Sequence, residues 1–119
     1  MNFFSNFFIK QNKTAGLIYI VDSTDHSRMT EAKEELHNII SNDFMKNIPL
    51  LVFANKQDLP QASNVATIID KLDIRSLKLS NWHVQGCSAV TGEGLIEGFQ
   101  MFSKMLQESK RKNHRRVVL

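Results

Sequence analysis

The sequence contains few of the residues that form cross-links and phosphate-binding loops. Cys87 is the only cysteine among 119 residues, which excludes an internal disulfide and favours a reducing compartment such as the cytosol. Of the five glycines, only Gly16 precedes Gly86, so the string G-x-x-x-x-G-K-[ST] does not occur. A loop of that type holds phosphates with backbone N–H groups and a lysine. This 119-residue sequence therefore does not provide a phosphate-binding loop of that type.

Long apolar runs and metal-ligand patterns are also absent. Lys10 interrupts the apolar N-terminal residues, which argues against a secretory signal, and position 2 is Asn2 rather than the glycine that N-myristoylation requires. No stretch is apolar enough for a transmembrane segment. The four histidines do not have the spacing of metal ligands, so we predict no metal site; they are His26, His37, His83 and His114.

Positive charge is concentrated near the carboxyl terminus. The chain has 15 lysines and arginines against 12 acidic residues, and five of the basic residues lie within residues 110–116. We therefore separate residues 108–119 as a basic tail and interpret it as a solvated, disordered terminus. A nuclear address or a contact with an anionic membrane is the alternative.

Three strand-then-helix units fill the middle of the chain. Residues 16–21, 50–54 and 83–87 are predicted strands, and Ser63 is the predicted N-cap of the second helix. Alternation of this kind predicts an α/β fold with about three parallel strands and flanking helices. The predicted buried helix faces are Met29, Ala32, Leu36, Ile39 and Ile40, then Val65, Ile68, Ile69 and Leu72, then Leu95, Phe99, Phe102 and Leu106.

The polar residues directly after the second strand fit a guanine base. The carboxylate of Asp58 can accept two parallel hydrogen bonds, which suits the N1 and N2 donors of guanine and has no counterpart in adenine. Asn55 can donate and accept near O6 and N7, and the stem of Lys56 can lie over the ring. The alternative is an ordinary polar turn after a buried strand. Ser88 to Val90 follow the next strand, so both segments can converge on one pocket.

Several motifs in one order strengthen this interpretation. They are VDSTD at residues 21–25, FANKQDLP at 53–60, Asn81-Trp82, and CSAVTGEGL at 87–95. Over about residues 15–107 the sequence resembles the ADP-ribosylation factor (Arf and Arf-like) branch of the small GTPases. The resemblance implies part of a three-layer, P-loop-NTPase-like fold. It also implies that Asn55, Lys56, Gln57 and Asp58 bind the guanine base together with Ser88, Ala89 and Val90, the N–H of Ala89 donating to guanine O6. For the second loop, an ordinary strand-to-helix turn is the alternative.

The resemblance also implies which family parts have no counterpart in these residues. The phosphate loop, the threonine switch and the Asp-x-x-Gly-Gln segment are absent, so the chain is interpreted as the carboxyl-terminal portion of such a domain. We predict no catalytic residue and no hydrolysis by this chain alone. We expect weak binding of GTP or GDP, with magnesium required only by the full family domain.

The family role is GTP-dependent recruitment in vesicle and membrane traffic. It implies exchange factors, effectors and a membrane surface as partners, and a cytoplasmic location peripheral to endomembranes; nucleic acid is not expected. The alternative is a non-enzymatic interaction protein, or a truncated product without a function of its own.

The phenylalanine-rich segment, residues 1–14, precedes this partial domain. Phe3, Phe4, Phe7 and Phe8 fall at helical spacing, which predicts a helix packed on the body or, alternatively, lying in a membrane interface. By the family's strand order, the edge of the strand at residues 16–21 is expected to be bare, and the chain to be marginally stable or prone to association.

Overall fold

The computed structural model describes residues 5–11, 13–45 and 47–117, with side chains over residues 16–43, 45 and 47–111. Phe3 and Phe4 lie outside these ranges. The strands and α-helices are, in chain order, β1 (Ser5–Gln11), β2 (Lys13–Asp22), α1 (Met29–Ile40), β3 (Leu50–Asn55), α2 (Val65–Leu72), β4 (Trp82–Gly86) and α3 (Leu95–Val117). Short 3-10 helices occur at His26–Arg28, Asp43–Met45 and Ile74–Leu77.

The strands form one sheet in the order β1-β2-β3-β4. β2, β3 and β4 are parallel, which confirms the predicted α/β class with three parallel strands and flanking helices. Leu17 lies opposite Leu50, and Val52 lies opposite Val84. Because the three strands run side by side in one direction, the loops that follow them all leave from the same edge of the sheet.

Helices α1 and α2 pack on one face of the sheet. The hydroxyl of Tyr19 in β2 donates to the carbonyl of Ala32 at 2.9 Å, which anchors the first turn of α1 to the sheet. The predicted faces of both helices are confirmed, with Ile39, Val65 and Ile69 only partly buried. The members of this core with no exposed surface are Leu17, Tyr19, Leu36, Leu50, Val52, Ala54, Ile68, Leu72 and Ile74.

Helix α3 covers the opposite face, and its contact depends on two glycines. A Cβ at Gly16 would lie 2.6 Å from the ring of Phe102, and a Cβ at Gly98 would overlap the ring of Phe53. This close approach rotates the helix relative to its predicted orientation. Phe99 is 53% exposed, so its place in the predicted buried face is wrong, and Met105 is buried instead.

The N-terminal segment is a strand where a helix was predicted. β1 pairs antiparallel with β2, with Phe8 opposite Leu17 and Ser5 opposite Ile20. The helix prediction is therefore wrong for Ser5–Gln11, and so is the prediction of a bare edge on β2. The physical reason is that a strand satisfies the backbone N–H and C=O groups along that edge, which a docked helix would leave unpaired.

Two helix ends also differ from expectation. Asn64, rather than Ser63, caps α2, because its side chain accepts a hydrogen bond from the N–H of Thr67 at 2.9 Å. Helix α3 runs through Val117, so the disordered terminus expected for residues 110–116 is replaced by helix. Lysine and arginine are good helix formers and complement the negative carboxyl-terminal pole of a helix, which accounts for the difference.

Candidate functional site

The loops after β2, β3 and β4 are joined by backbone hydrogen bonds at one edge of the sheet. The N–H of Ser23 donates to Asn55 O at 3.1 Å, and the N–H of Gln57 donates to Cys87 O at 3.0 Å. Segments distant in sequence are thus fixed relative to one another. The two predicted loops, Asn55 to Asp58 and Ser88 to Val90, lie side by side.

The side chain of Asn55 holds the two loops together. Its Oδ1 accepts a hydrogen bond from the backbone N–H of Ala89 at 3.0 Å and a weaker one from Cys87 Sγ at 3.7 Å. The N–H that the resemblance assigns to guanine O6 is therefore bonded to Asn55 in this structure. A base that uses this N–H must share it with Asn55 or displace Asn55.

Lys56 has an unusual backbone conformation and a charged partner. Its φ is +68°, in the left-handed region that is unfavourable for residues other than glycine. Its Nζ donates to Asp22 Oδ2 at 2.9 Å. That hydrogen bond, with the negative charge of Asp22, raises the pKa of the Lys56 ammonium.

Asp22, the last residue of β2, is anchored by its own loop. Its Oδ1 accepts hydrogen bonds from the backbone N–H of Thr24 at 2.9 Å and from the Thr24 hydroxyl at 2.7 Å. Partial burial favours the neutral acid, but the hydrogen bonds from Lys56 and Thr24 outweigh it and lower the pKa of Asp22. The carboxylate is therefore ionised near neutral pH.

Gln57 is directed inward rather than toward a ligand. Its Nε2 donates to Ser23 Oγ at 3.0 Å and to Ser63 O at 2.8 Å. The side chain thus links the loop after β2 to the segment before α2. Its place among the predicted base-binding residues rests on the motif, and its contacts are those of a structural brace.

Asp58 is exposed, and no other described residue donates a hydrogen bond to its carboxylate. Its negative charge also contributes to the raised pKa of Lys56, which places the two side chains in the same electrostatic environment. Its two carboxylate oxygens can therefore accept hydrogen bonds from a ligand.

The second loop is shaped by Ser88. This buried residue donates its N–H to Glu93 O at 2.9 Å, and its carbonyl accepts from the N–H of Gly92 at 2.8 Å. Its hydroxyl accepts from the N–H of Thr91 at 3.2 Å. Ser88 therefore organises the loop from within, while Ala89 and Val90 are exposed at its tip.

Sequence reasoning found the two loops but not the residues that connect them to β2. Asp22 and Ser23 contact Lys56 and Gln57, and neither was among the predicted site residues. A signal was present, since polar side chains follow the apolar strand immediately after Val21. Only the register of the sheet, which sets Asp22 opposite Asn55, shows which residues they meet.

The described residues contain neither a cluster of metal ligands nor a membrane-spanning helix. Over the described ranges, no group of three or more histidine, cysteine, aspartate or glutamate side chains could hold a metal ion. Within the same part of the chain, none of the helices has the length and apolar character needed to cross a membrane.

We expect the Cys87 thiol to be unreactive. Cys87 directly follows β4 and is 3% exposed, and burial raises the pKa of its thiol to about 11. At pH 8 its thiolate fraction should be roughly a hundredfold below that of a free cysteine, so alkylation by iodoacetamide should be slower by at least that factor. Mass spectrometry of timed samples measures the rate, and the urea-unfolded chain is the control. Equal rates in the two states would show that the thiol is accessible and ionised in the folded protein.

The sequence matches the model of a known protein family. The model of the Arf family, described as the ADP-ribosylation factor family, matches residues 3–106. The match spans all four strands, the loops that carry the candidate site and the first half of α3.

Proposed function

Because this chain belongs to the ADP-ribosylation factor family of small GTPases, we propose that it binds guanine nucleotides through the loops after β3 and β4. In this proposal Asp58 accepts from N1 and N2 of guanine, and the amide of Asn55 donates to the O6 and N7 side. The stem of Lys56 covers one face of the ring. Ala89 and Val90, in the loop after β4, border the base.

One observation carries the proposal: the Asn55 side chain bonds the N–H of Ala89 at 3.0 Å. That contact brings the tips of the two loops to one place, although they are 34 residues apart in sequence. A planar base needs donors and acceptors along one edge, and these loops can supply them together with the exposed carboxylate of Asp58.

The affinity of the 119-residue chain should be low. Charge-assisted hydrogen bonds from Asp58 and its neighbours contribute about 3–6 kcal/mol before the cost of ordering the ligand. After that cost is subtracted, the remaining free energy corresponds to millimolar dissociation constants or weaker. Phosphate groups add little, because the sequence contains no G-x-x-x-x-G-K-[ST] loop to bind them.

We further propose that the chain acts in vesicle traffic, with exchange factors, effectors and a membrane surface as partners. This part rests on family membership alone. The second candidate is a non-enzymatic interaction protein. It is favoured by three exposed apolar side chains, those of Val90 in the loop after β4 and of Ile96 and Phe99 in the first turns of α3.

Substitution of one carboxylate separates these candidates. We expect Asp58→Ala to remove the preference for GDP over ADP, because both hydrogen bonds that distinguish guanine are lost. Isothermal titration at millimolar nucleotide measures both affinities. Asp70→Ala is the matched control, since Asp70 is an exposed carboxylate on α2 outside the candidate site. Equal affinities of the unsubstituted chain for GDP and ADP would contradict the proposed function and favour the interaction protein.

A further inference from the structure

We propose that Asp22 is a positioning residue for the nucleotide base, which holds the ammonium of Lys56 so that the lysine stem is fixed as the surface on which guanine stacks. This inference rests on the proposed function. It adds to the site the last residue of β2, outside the two segments that read the base.

The carboxylate of Asp22 is oriented by its own loop. Oδ1 accepts two hydrogen bonds from Thr24, at 2.9 and 2.7 Å, and this prevents the group from rotating. Oδ2 is thereby directed at Lys56 Nζ, 2.9 Å away. In the sheet Asp22 lies opposite Asn55, the residue before Lys56, so the partners are brought together by backbone pairing.

The backbone of Lys56 provides the second observation. A glycine would adopt a φ of +68° without strain, whereas a lysine adopts it only when its surroundings impose it. The neighbouring hydrogen bonds, Leu59 N to Lys56 O at 3.1 Å and Gln57 N to Cys87 O at 3.0 Å, fix this conformation. Strained residues of this kind cluster at ligand clamps, and here the side chain is the part that a glycine could not supply.

The other charged groups near this pair do not replace Asp22. Asp25 and Asp58 act on Lys56 through their charge, but neither forms the hydrogen bond to its ammonium. Asp25 is itself paired with Arg28 at 3.3 Å. Asp22 is therefore the group that sets where the ammonium lies, and with both ends of the side chain fixed the methylene stem has few remaining conformations.

An ordered stem should improve affinity by reducing the entropy lost on binding. The entropy lost when one long side chain is immobilised on binding lowers the affinity by about two- to tenfold. We expect Asp22→Asn to weaken GDP binding by about that factor while the preference for GDP over ADP is kept, because Asp58 is unchanged. Asp22→Glu should recover part of the loss. Asp25→Asn, the control for removal of one negative charge, should have little effect.

A double-mutant cycle tests whether Asp22 acts through Lys56. Lys56→Met keeps an apolar stem but removes the ammonium, so it should weaken GDP binding as Asp22→Asn does. The double variant should then be no weaker than Lys56→Met alone, because a broken contact cannot be lost twice. Additive losses would show that Asp22 acts by another route and would overturn the proposal.

The contact can also be measured without a ligand. The pKa of Lys56, followed by NMR of its side-chain amine, should fall when Asp22 is replaced by asparagine. No change would mean that the ion pair is absent in solution, and the proposal would fail.

If the unsubstituted chain binds GDP with a preference over ADP and Asp22→Asn binds GDP equally well, only the positioning role is overturned. If the unsubstituted chain shows no such binding, the proposed function fails and the positioning role fails with it.

Discussion

Replacing Ile18 with lysine is expected to unfold the protein. Ile18 is 6% exposed in β2 and packs in the core beneath α3 with Leu51 and Phe102. An ammonium group at this position loses its hydration and lies among apolar side chains, which costs at least about 4 kcal/mol. Because small domains are stable by only about 5–15 kcal/mol, far-ultraviolet circular dichroism should show loss of the folded signal or a large drop in the urea midpoint.

The matched control is the same change on the surface. Ile96 in α3 is 66% exposed, so Ile96→Lys should alter the free energy of unfolding by no more than about 0.5 kcal/mol. If the two variants unfolded at similar urea concentrations, α3 would not cover β2 as the structure has it.

The second large effect is expected at Gly94, in the loop that carries Ala89. Its φ is +82°, and a Cβ there would overlap the carbonyl oxygen of Gly86 and lie 3.0 Å from the Cα of Cys87. Both obstacles are backbone atoms, which cannot move aside as a side chain can. Gly94→Ala should therefore open the loop, break the bond from Ser88 N to Glu93 O, and cost at least about 3 kcal/mol in thermal or urea unfolding.

Gly92 separates steric overlap from backbone conformation. Its φ is +83°, almost the same as that of Gly94, but a Cβ on Gly92 would meet no atom within 4 Å. Gly92→Ala should cost only the conformational penalty of about 1 kcal/mol. Equal losses in the two variants would contradict the packing of Gly94 against the end of β4.

The parallel strands could be predicted because their signal is local. β2 and β3 are apolar on both faces and are each followed by a helix with a periodic apolar stripe. The orientation of α3 depends instead on Gly98, which lets the helix approach Phe53 and leaves Phe99 at the margin of the contact, half-exposed, with its ring edge-on to Phe53 at 5.2 Å. Periodicity assigns residues to a face, but it does not show how close two elements come.

The N-terminal segment shows why non-local pairing is harder to predict. Phenylalanines at positions 3, 4, 7 and 8 fit a helical stripe, and the local sequence does not exclude it. What decides the conformation of Ser5–Gln11 is the edge of β2, whose backbone groups accept a partner strand. The family's strand order pointed to that edge, but not to the segment of this chain that covers it.

In the candidate site, too, some features could be predicted from the local sequence and others depend on contacts between distant segments. Asn55, Lys56 and Asp58 could be proposed from their chemistry, because each type of side chain suits one part of guanine. The sequence did not predict that Gln57 points inward or that Asp22 contacts Lys56. Both features depend on the register of neighbouring strands.

The most direct test of the guanine site is an amide NMR titration of the isotopically labelled chain with GDP and, separately, with ADP. We expect GDP to shift the amides of residues 55–58 and 88–90. Ala89 should shift most, because its N–H must be shared between Asn55 and the base. ADP should leave these amides nearly unchanged, and neither nucleotide should affect Leu50 at the opposite end of β3. Equal shifts with both nucleotides, or GDP-dependent shifts confined to residues outside these two loops, would contradict the account.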